Sequence, residues 1–233
     1  MNSKPLFKQG LKDGIPIGLG YLSVSIGIGI AAVSGGLHII TALLMSMTNL
    51  TSAGQAAGIT IIAAGGTLFE IALVQLVINL RYALMAISLS QRLDASFTTG
   101  KRLFLGAFIT DEIYAVATSR DNVNTRYMYG LAIIPYIGWA AGTLIGASAG
   151  TILPVAVTTA LGMALYGMFV AIIVPAMKKS RDVSLTVILA VLLSTMFRVV
   201  PFFSFISYGF AVILSSVIAA SVSAMLSVRR RSA

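Results

Sequence analysis

The chain is 233 residues long, with 58% hydrophobic residues, 10% charged residues and a formal net charge of +9. Soluble domains carry about 25% charged residues, so this chain has too few charges to coat a water-soluble surface. The basic residues lie mainly beside long apolar segments, which is the positive-inside pattern of membrane proteins rather than an indication of nucleic-acid binding. Cysteine is absent and there is one histidine, which excludes disulfides and Cys- or His-rich metal sites.

Five apolar stretches approach or exceed the roughly 20 residues that a helix needs to span a bilayer. They are residues 15–34, 71–89, 129–149, 155–176 and 202–228. We therefore predict an all-α, polytopic membrane protein. Residues 1–233 are expected to form a single transmembrane domain with very little soluble structure.

Four basic clusters predict a topology. They are Lys4, Lys8 and Lys12; Arg92, Lys101 and Arg102; Lys178, Lys179 and Arg181; and Arg229, Arg230 and Arg231. The positive-inside rule places all four clusters, and hence both termini, in the cytoplasm. The loop 119–125 carries Arg120 and Asp121, so its signal is mixed.

The first half of the chain is predicted to contain two spans around a broken hairpin. With the basic clusters inside, residues 14–35 cross outward and residues 66–90 return. The stretch 38–64 must then leave and re-enter on one side, and its small, polar, glycine-bearing sequence at 49–58 is typical of a helix break. Broken backbone at membrane depth is tolerated where it is buried in protein or lines a cavity.

The same reasoning applies to the second half of the chain. It predicts an outward connecting helix, an inward span, a second broken hairpin, an outward span and a last inward helix, at residues 103–118, 128–150, 151–177, 183–200 and 202–228. The interruption in the second hairpin lies at 161–167.

The predicted organisation is an inverted-topology repeat. Repeat 1 covers about 14–90 and repeat 2 about 128–200, each with a span, a re-entrant hairpin and a span. Weak sequence echoes recur at one common spacing, pairing Pro16 with Pro135 and Gly27 with Gly146. Inverted repeats with paired broken helices are typical of secondary transporters, whose substrates bind near the midplane beside half-helix ends.

Charged residues within or beside apolar segments are candidates for function, because a charge at mid-bilayer costs about 2.5–3.5 kcal/mol on insertion scales. They are Glu70, Arg81, Asp111, Glu112 and Arg198. Asp111 is nine residues from Arg102, and so roughly 13 Å deeper along a helix. Asp111 either titrates or pairs with Arg81 or Arg198 in a coupling site, or it forms a structural ion pair that fixes helix packing.

The other members of this set have two interpretations each. Arg81 either holds a substrate carboxylate or a partner acid, or its side chain extends toward the cytoplasmic interface. Glu112 is a second candidate for proton coupling. Both Glu112 and Glu70 are otherwise expected at helix ends, where the headgroup region would solvate them.

Polar side chains at the two predicted breaks are candidate substrate contacts. At the first break they are Asn49, Thr51, Ser52 and Gln55. They contact a ligand or satisfy the backbone groups that the break frees. Tyr166 has the equivalent place in the second break, as a ligand contact or as a core tyrosine.

Motifs for energy-coupled or covalent chemistry are missing from the sequence. There is no Walker motif, G-x-S-x-G or H-E-x-x-H, which argues against ATP-driven transport by this chain alone and against an enzyme. No cofactor is indicated. The remaining classes are a carrier, a channel for small solutes, and a non-transporting membrane scaffold or subunit. Nothing resembles a carbonyl filter or an acidic ring, which disfavours the channel.

Four short motifs stand in order along the chain. They are DGIPIGLG from Asp13, TSAGQA from Thr51, NLRYALMA from Asn79 and TDEIY from Thr110. In order and spacing they resemble the AzlC-type branched-chain amino acid exporters, over about residues 10–200. The resemblance implies export of valine, leucine and isoleucine across the bacterial cytoplasmic (inner) membrane. It also implies a small hydrophobic AzlD-type membrane subunit as a partner.

The resemblance adds a constraint on the ligand, which should be a zwitterion with an apolar side chain. It favours Gln55, Asn79, Arg81 and Asp111 as site residues. One departure is the pair of alanines after Gln55, where an aromatic residue is expected. The resulting prediction is a secondary transporter that works by alternating access, with proton coupling through Asp111 as a hypothesis.

Overall fold

The computed structural model describes residues 4–150, 154, 156, 167, 170, 173–203 and 205–231. In this part of the chain the regular structure is helical, apart from one isolated bridge between Leu93 and Val123. The helices are α1 (Lys4–Ser34), α2 (Ile39–Thr48), α3 (Ser52–Ala63), α4 (Leu68–Ser90), α5 (Thr99–Gly106), α6 (Asp111–Thr118), α7 (Thr125–Gly150), α8 (Arg181–Val199) and α9 (Tyr208–Arg231). The predicted all-α class is confirmed.

Within the described ranges, five helices are long and apolar enough to cross a membrane. The apolar parts are Leu6–Ser34, Leu68–Ser90, Thr125–Gly150, Arg181–Val199 and Tyr208–Ser227. Large apolar side chains on these helices remain exposed, such as Leu84 at 67% and Met225 at 73%. Such surfaces need lipid or another protein around them. The chain is therefore a multi-pass membrane protein, as predicted.

The chain divides into two compact units. Unit 1 contains Met1–Ala56 and Ile78–Gly162, and unit 2 contains Ala57–Val77 and Met163–Ala233. Helices α1, α2, α5, α6 and α7 belong to unit 1, whereas α8 and α9 belong to unit 2. In unit 2 the Ser223 hydroxyl, near the end of α9, donates to the Asp182 carbonyl at the start of α8 at 3.1 Å. These two helices are therefore antiparallel.

Helices α1 and α7 form the centre of unit 1 and run parallel. Gly138 lies against the backbone of Gly18, and Gly29 lies against the backbone of Ala147. Glycines allow this close approach, because a Cβ at Gly138 would overlap the Gly18 carbonyl. The expectation that residues 128–150 run opposite to the first span is therefore wrong.

The predicted inversion of the two repeats does not hold for their opening helices. An inverted repeat would make α1 and α7 antiparallel, and they are parallel. The spacing that relates Pro16 to Pro135 is close to the register at which α1 packs along α7, since Gly14 lies against Pro135. The sequence echo thus reflects helix pairing rather than inversion.

The predicted connecting helix 103–118 is a hairpin of two short helices. Helices α5 and α6 are separated by residues 107–110, which we call the second break. The Arg92 guanidinium donates to the Thr118 carbonyl at 2.8 Å, and the Lys101 ammonium donates to the Ser96 carbonyl at 2.9 Å. The start of α5 and the end of α6 therefore meet at one loop. An eight-residue helix is only about 12 Å long, so neither helix crosses a bilayer.

The first break, residues 49–51, separates α2 from α3 where the sequence predicts it. The side chains of Ser46 and Gln55, on either side of the break, are hydrogen-bonded at 2.6 Å, so the chain folds back on itself there. Most of the second predicted hairpin, residues 151–177, lies outside the described residues. Its interruption at 161–167 lies there too, except for residue 167.

The basic loops of unit 1 gather at one end. The Tyr127 hydroxyl donates to Asp13 at 2.7 Å, and Arg120 lies 3.7 Å from the same carboxylate. The Asn124 amide donates to Asp94 at 2.7 Å. The loop 119–125, with its mixed signal, therefore lies at the same end as the start of α1 and the Arg92 loop. We call this end of unit 1 the basic end.

Candidate functional site

Buried polar side chains meet at the first break. Gln55 is 0% exposed, and its amide nitrogen donates to the Ser46 hydroxyl at 2.6 Å. The Gln55 carbonyl oxygen accepts the indole N–H of Trp139 at 3.1 Å, and the hydroxyls of Ser46 and Thr143 lie 2.6 Å apart. We call these four residues the Gln55 network. Each member has a partner, as buried polar groups require, so the network holds α2 and the start of α3 on α7.

The other polar residues of the first break complete helix ends. Thr51 is buried just before α3, and its hydroxyl accepts the Gly54 N–H at 3.4 Å. The Asn49 N–H donates to the Met45 carbonyl at 2.8 Å and closes the last turn of α2. Ser52 is half-buried in the first turn of α3. Of the four residues predicted here, Gln55 joins the interior network.

The second break has charged residues instead. Thr110 precedes α6 and its hydroxyl accepts the Ile113 N–H at 3.3 Å. Asp111 and Glu112 lie in the first turn of α6, where the positive end of the helix dipole favours carboxylates. The expectation that Asp111 lies in the middle of a helix is wrong, because the chain breaks directly before it.

Arg81 and Asp111 form an ion pair in unit 1. The guanidinium and carboxylate lie 2.7 Å apart, and each side chain is 42% exposed. Arg81 also donates to the Tyr82 hydroxyl at 3.2 Å. It lies nine residues before the end of α4 at Ser90, about 13 Å along the helix, and Asn79, two residues earlier, is half-buried. A half-exposed charge at that depth is too costly against lipid, so the pair faces either water or another protein surface.

Tyr21 of α1 connects the two breaks. Its hydroxyl lies 2.5 Å from a Glu112 carboxylate oxygen and 2.6 Å from the Thr110 hydroxyl. Its ring packs edge-to-face on Trp139 with the centroids 5.4 Å apart. The contacts therefore run from Glu112 through Tyr21 and Trp139 to Gln55.

Sequence reasoning did not find Tyr21, Ser46, Trp139 or Thr143. Their partners lie far away in the chain, and a hydroxyl in an apolar helix is unremarkable by itself. Trp139 offered one signal, because it is the only tryptophan in the chain. Tyr166, which the sequence predicts as a contact in the second half, lies outside the described residues.

Glu70 was expected to be solvated at a helix end, but it is buried. It is 4% exposed in unit 2, and its Oε1 accepts the Ser207 hydroxyl at 2.5 Å and the Gly209 N–H at 2.6 Å. Gly209 is in the first turn of α9, so this carboxylate satisfies the positive end of that helix. Arg198, in the last turn of α8, lines a cavity of about 350 Å³ in the same unit, and Asp111 pairs with Arg81 instead.

The fold is that of a multi-pass helical membrane protein with polar side chains at two breaks. The family model described as AzlC protein matches residues 16–153, so the chain belongs to the AzlC family. Membership of this family, together with the spanning helices, supports a role in membrane transport.

Three curated relatives agree with this placement. Inner membrane protein YgaZ of Escherichia coli is 28% identical over 189 residues, covering 77% of each chain. An uncharacterized membrane protein of Archaeoglobus fulgidus is 28% identical over 181 residues, covering 76% of this chain and 79% of the relative. One from Helicobacter pylori J99 is 30% identical over 146 residues, covering 60% and 63%. No solved structure matches the chain significantly.

Proposed function

We propose that the protein is a secondary transporter that exports valine, leucine and isoleucine across the bacterial cytoplasmic membrane. Membership of the AzlC family supports the transport role. The observation that carries the substrate class is the Arg81–Asp111 pair, which puts one positive and one negative group 2.7 Å apart, half-exposed, beside a broken helix.

This pair has the chemistry of an amino-acid head group. An α-amino acid carries a carboxylate and an ammonium on neighbouring atoms, so its two charges match a guanidinium and a carboxylate side by side. Binding replaces one internal ion pair with two charge-assisted hydrogen bonds to the ligand. The exposed side chains of Leu80 and Leu84, on the same helix as Arg81, offer apolar surface for a branched side chain.

The two breaks supply the moving parts in this proposal. The positive end of the α3 helix dipole, whose first turn has no acidic residue, offers a second position for a carboxylate. Alternating access would tilt the α5–α6 hairpin against α1 and α7, because short helices that end inside a bundle can shift without breaking a span. This movement would reach Gln55 through the contacts of Tyr21 and Trp139.

The orientation, coupling and partner belong to the same proposal. The basic end of unit 1 would face the cytoplasm together with both termini. Asp111 or Glu112 would carry a coupling proton. A small hydrophobic AzlD-type subunit would assemble with the chain in the bilayer.

Efflux of labelled leucine from preloaded vesicles tests the proposal, with and without the small subunit. We expect saturable efflux that excess unlabelled valine or isoleucine inhibits. Arg81→Gln and Asp111→Asn should each raise the half-saturating leucine concentration at least about tenfold, equivalent to 1.4 kcal/mol. Tyr82→Phe is the control, because it removes a hydrogen bond from Arg81 and leaves the ion pair.

Other results would select another class. Flux that does not saturate would identify a channel. A correctly inserted protein that moves none of the three amino acids, with or without the subunit, would contradict the substrate. A scaffold role would follow if no complex transported any of the amino acids and if the Arg81 and Asp111 variants no longer assembled with the subunit.

A further inference from the structure

We propose that Tyr21 is the positioning residue that couples protonation of Glu112 at the second break to the Gln55 network at the first break. The proposal rests on the transport function above and names the residue that links its two sites. The Tyr21 hydroxyl hydrogen-bonds to Glu112 and Thr110 rather than to the Arg81–Asp111 pair.

One rigid side chain makes both contacts. The Tyr21 hydroxyl is fixed by Glu112 and Thr110 of the second break, while the ring edge lies on the Trp139 indole. Trp139 is 3% exposed, and its N–H is committed to Gln55. A tyrosine ring cannot bend, so a displacement of the hydroxyl is passed to the Trp139 ring, and from there to the Gln55 hydrogen bond.

The other charged residues around Glu112 pair with one another or lie well away from the Tyr21–Glu112 contact. Asp111 on the same helix is paired with Arg81 of α4, and Tyr82 is the neighbouring titratable group on α4. On α1 the charged residue nearest in sequence to Tyr21 is Asp13, about 12 Å away along the helix, and it contacts Tyr127 and Arg120. On α7 the single charged residue, Arg126, is about 20 Å along the helix from Trp139.

A proton on Glu112 changes this contact directly. The ionised carboxylate accepts a charge-assisted hydrogen bond from Tyr21, which is roughly twice as strong as a neutral one. When Glu112 takes up one proton from water, the carboxyl becomes neutral and the tyrosine hydroxyl is held less firmly. The Tyr21 ring, which packs on Trp139 of the Gln55 network, is then no longer held in place. By linkage, a ligand that repositions the first break must also change the affinity of Glu112 for the proton.

The single tryptophan makes the link measurable without transport. The full chain is placed in lipid nanodiscs, and Trp139 emission is recorded between pH 3 and 8, with and without leucine. Tyr21→Phe keeps the ring and removes the hydroxyl, and Glu112→Gln keeps an acceptor and removes the charge. Tyr136→Phe is the matched control, because its hydroxyl donates to the Met47 carbonyl at 3.2 Å and not to α6.

We expect the wild-type emission and the half-saturating leucine concentration for efflux to change together with pH. Both responses should be lost in Tyr21→Phe and in Glu112→Gln. Tyr136→Phe should respond like wild type. Emission that does not change with pH in wild type, or that still changes in both variants, would overturn the proposal.

The same data separate this proposal from the function it rests on. If emission titrates in wild type and control but in neither variant, while no leucine is exported, the link holds and the substrate is wrong. If leucine is exported and its pH dependence survives in both variants, the exporter stands and the link is wrong. Should Tyr21→Phe fail to insert, Glu112→Gln decides alone, since its acceptor is preserved.

Discussion

The two breaks of unit 1 differ in the charge and exposure of the polar side chains around them. At the first break the Gln55 network is neutral, buried and paired: Gln55 is 0% exposed and Thr143 is 0% exposed. At the second break the polar side chains are charged and half-exposed, with Arg81 and Asp111 at 42% each. A closed neutral network gives stability and little opportunity to bind, whereas an open ion pair gives little stability and a place for a charged ligand.

The comparison therefore separates two tasks. The first break should matter mostly for folding, and the second mostly for transport. Both lie against α1 and α7, which provide Tyr21, Trp139 and Thr143. Variants ordered by their expected effect test this division.

The largest effect should come from the surface that both breaks share. In Gly138→Leu the new side chain would overlap the backbone of Gly18, which cannot move aside as a flexible side chain can. Overpacking typically costs 1–3 kcal/mol, and we expect at least about 3 kcal/mol here, together with loss of both sites. Thermal unfolding in nanodiscs would measure it. Gly20→Leu on α1 is the control, because nothing lies near a Cβ there. Equal melting temperatures for the two variants would contradict this packing.

Gln55→Leu tests the first break. It leaves the Trp139 N–H without its acceptor in the interior, and an orphaned buried group costs about 1–3 kcal/mol. The melting temperature should fall by several degrees, whereas Thr48→Val should change it little, because that exposed hydroxyl bonds only to its own helix at Leu44 and Met45. If Gln55→Leu melted like Thr48→Val, the network would not be the stabilising element of this break.

Exchanging the charges of Arg81 and Asp111 tests the second break. Exposed ion pairs contribute about 0–1 kcal/mol, and each single reversal also places two like charges side by side, so Arg81→Asp and Asp111→Arg should each lower stability by about 1 kcal/mol. The double variant should regain stability. Its leucine efflux should stay at least about tenfold below wild type, because an arginine at the start of α6 opposes the helix dipole. Full recovery of efflux in the double variant would show that the pair acts only in packing.

A smaller effect is expected at the base of the α5–α6 hairpin. Burial alone would raise the pKa of Asp94, but hydrogen bonds from Ser96 and Asn124 lower this pKa below its usual 3.8. These bonds therefore stabilise the fold at neutral pH, and the contribution is lost as the pH falls below 3.8 through the folded pKa. The difference in melting temperature between wild type and Asp94→Asn should be constant from pH 5 to 8 and shrink in acid. Asp121→Asn, in an exposed part of the loop, should show no such trend.

The two breaks also differ in how far the sequence predicted them. The first follows from a run of small, polar and glycine residues inside an apolar stretch, and the structure places the break there. Residues 103–118 are apolar enough to be interpreted as one spanning helix, and the capping role of Thr110 before two acids was not recognised. The reversal is clear only from the Arg92 and Lys101 hydrogen bonds at the base of the hairpin.

The sequence alone determined what depends on local composition. Hydropathy and length identified the membrane class, and four of the five predicted apolar stretches correspond to long apolar helices. Four short motifs pointed to the AzlC family. The Arg81 and Asp111 positions followed from the cost of charge in an apolar segment. These signals are contained in windows of about 20 residues, so they can be evaluated along the chain.

The tertiary structure alone decided direction and pairing. Whether α7 runs with α1 or against it depends on which backbones can approach, and the glycines of both helices meet in the parallel register. The link from Glu112 through Tyr21 and Trp139 to Gln55 joins side chains more than 80 residues apart. Such contacts are set by packing geometry, which hydropathy and loop charge do not encode. The sequence therefore identified the charged residues, whereas the fold determined which of them meet.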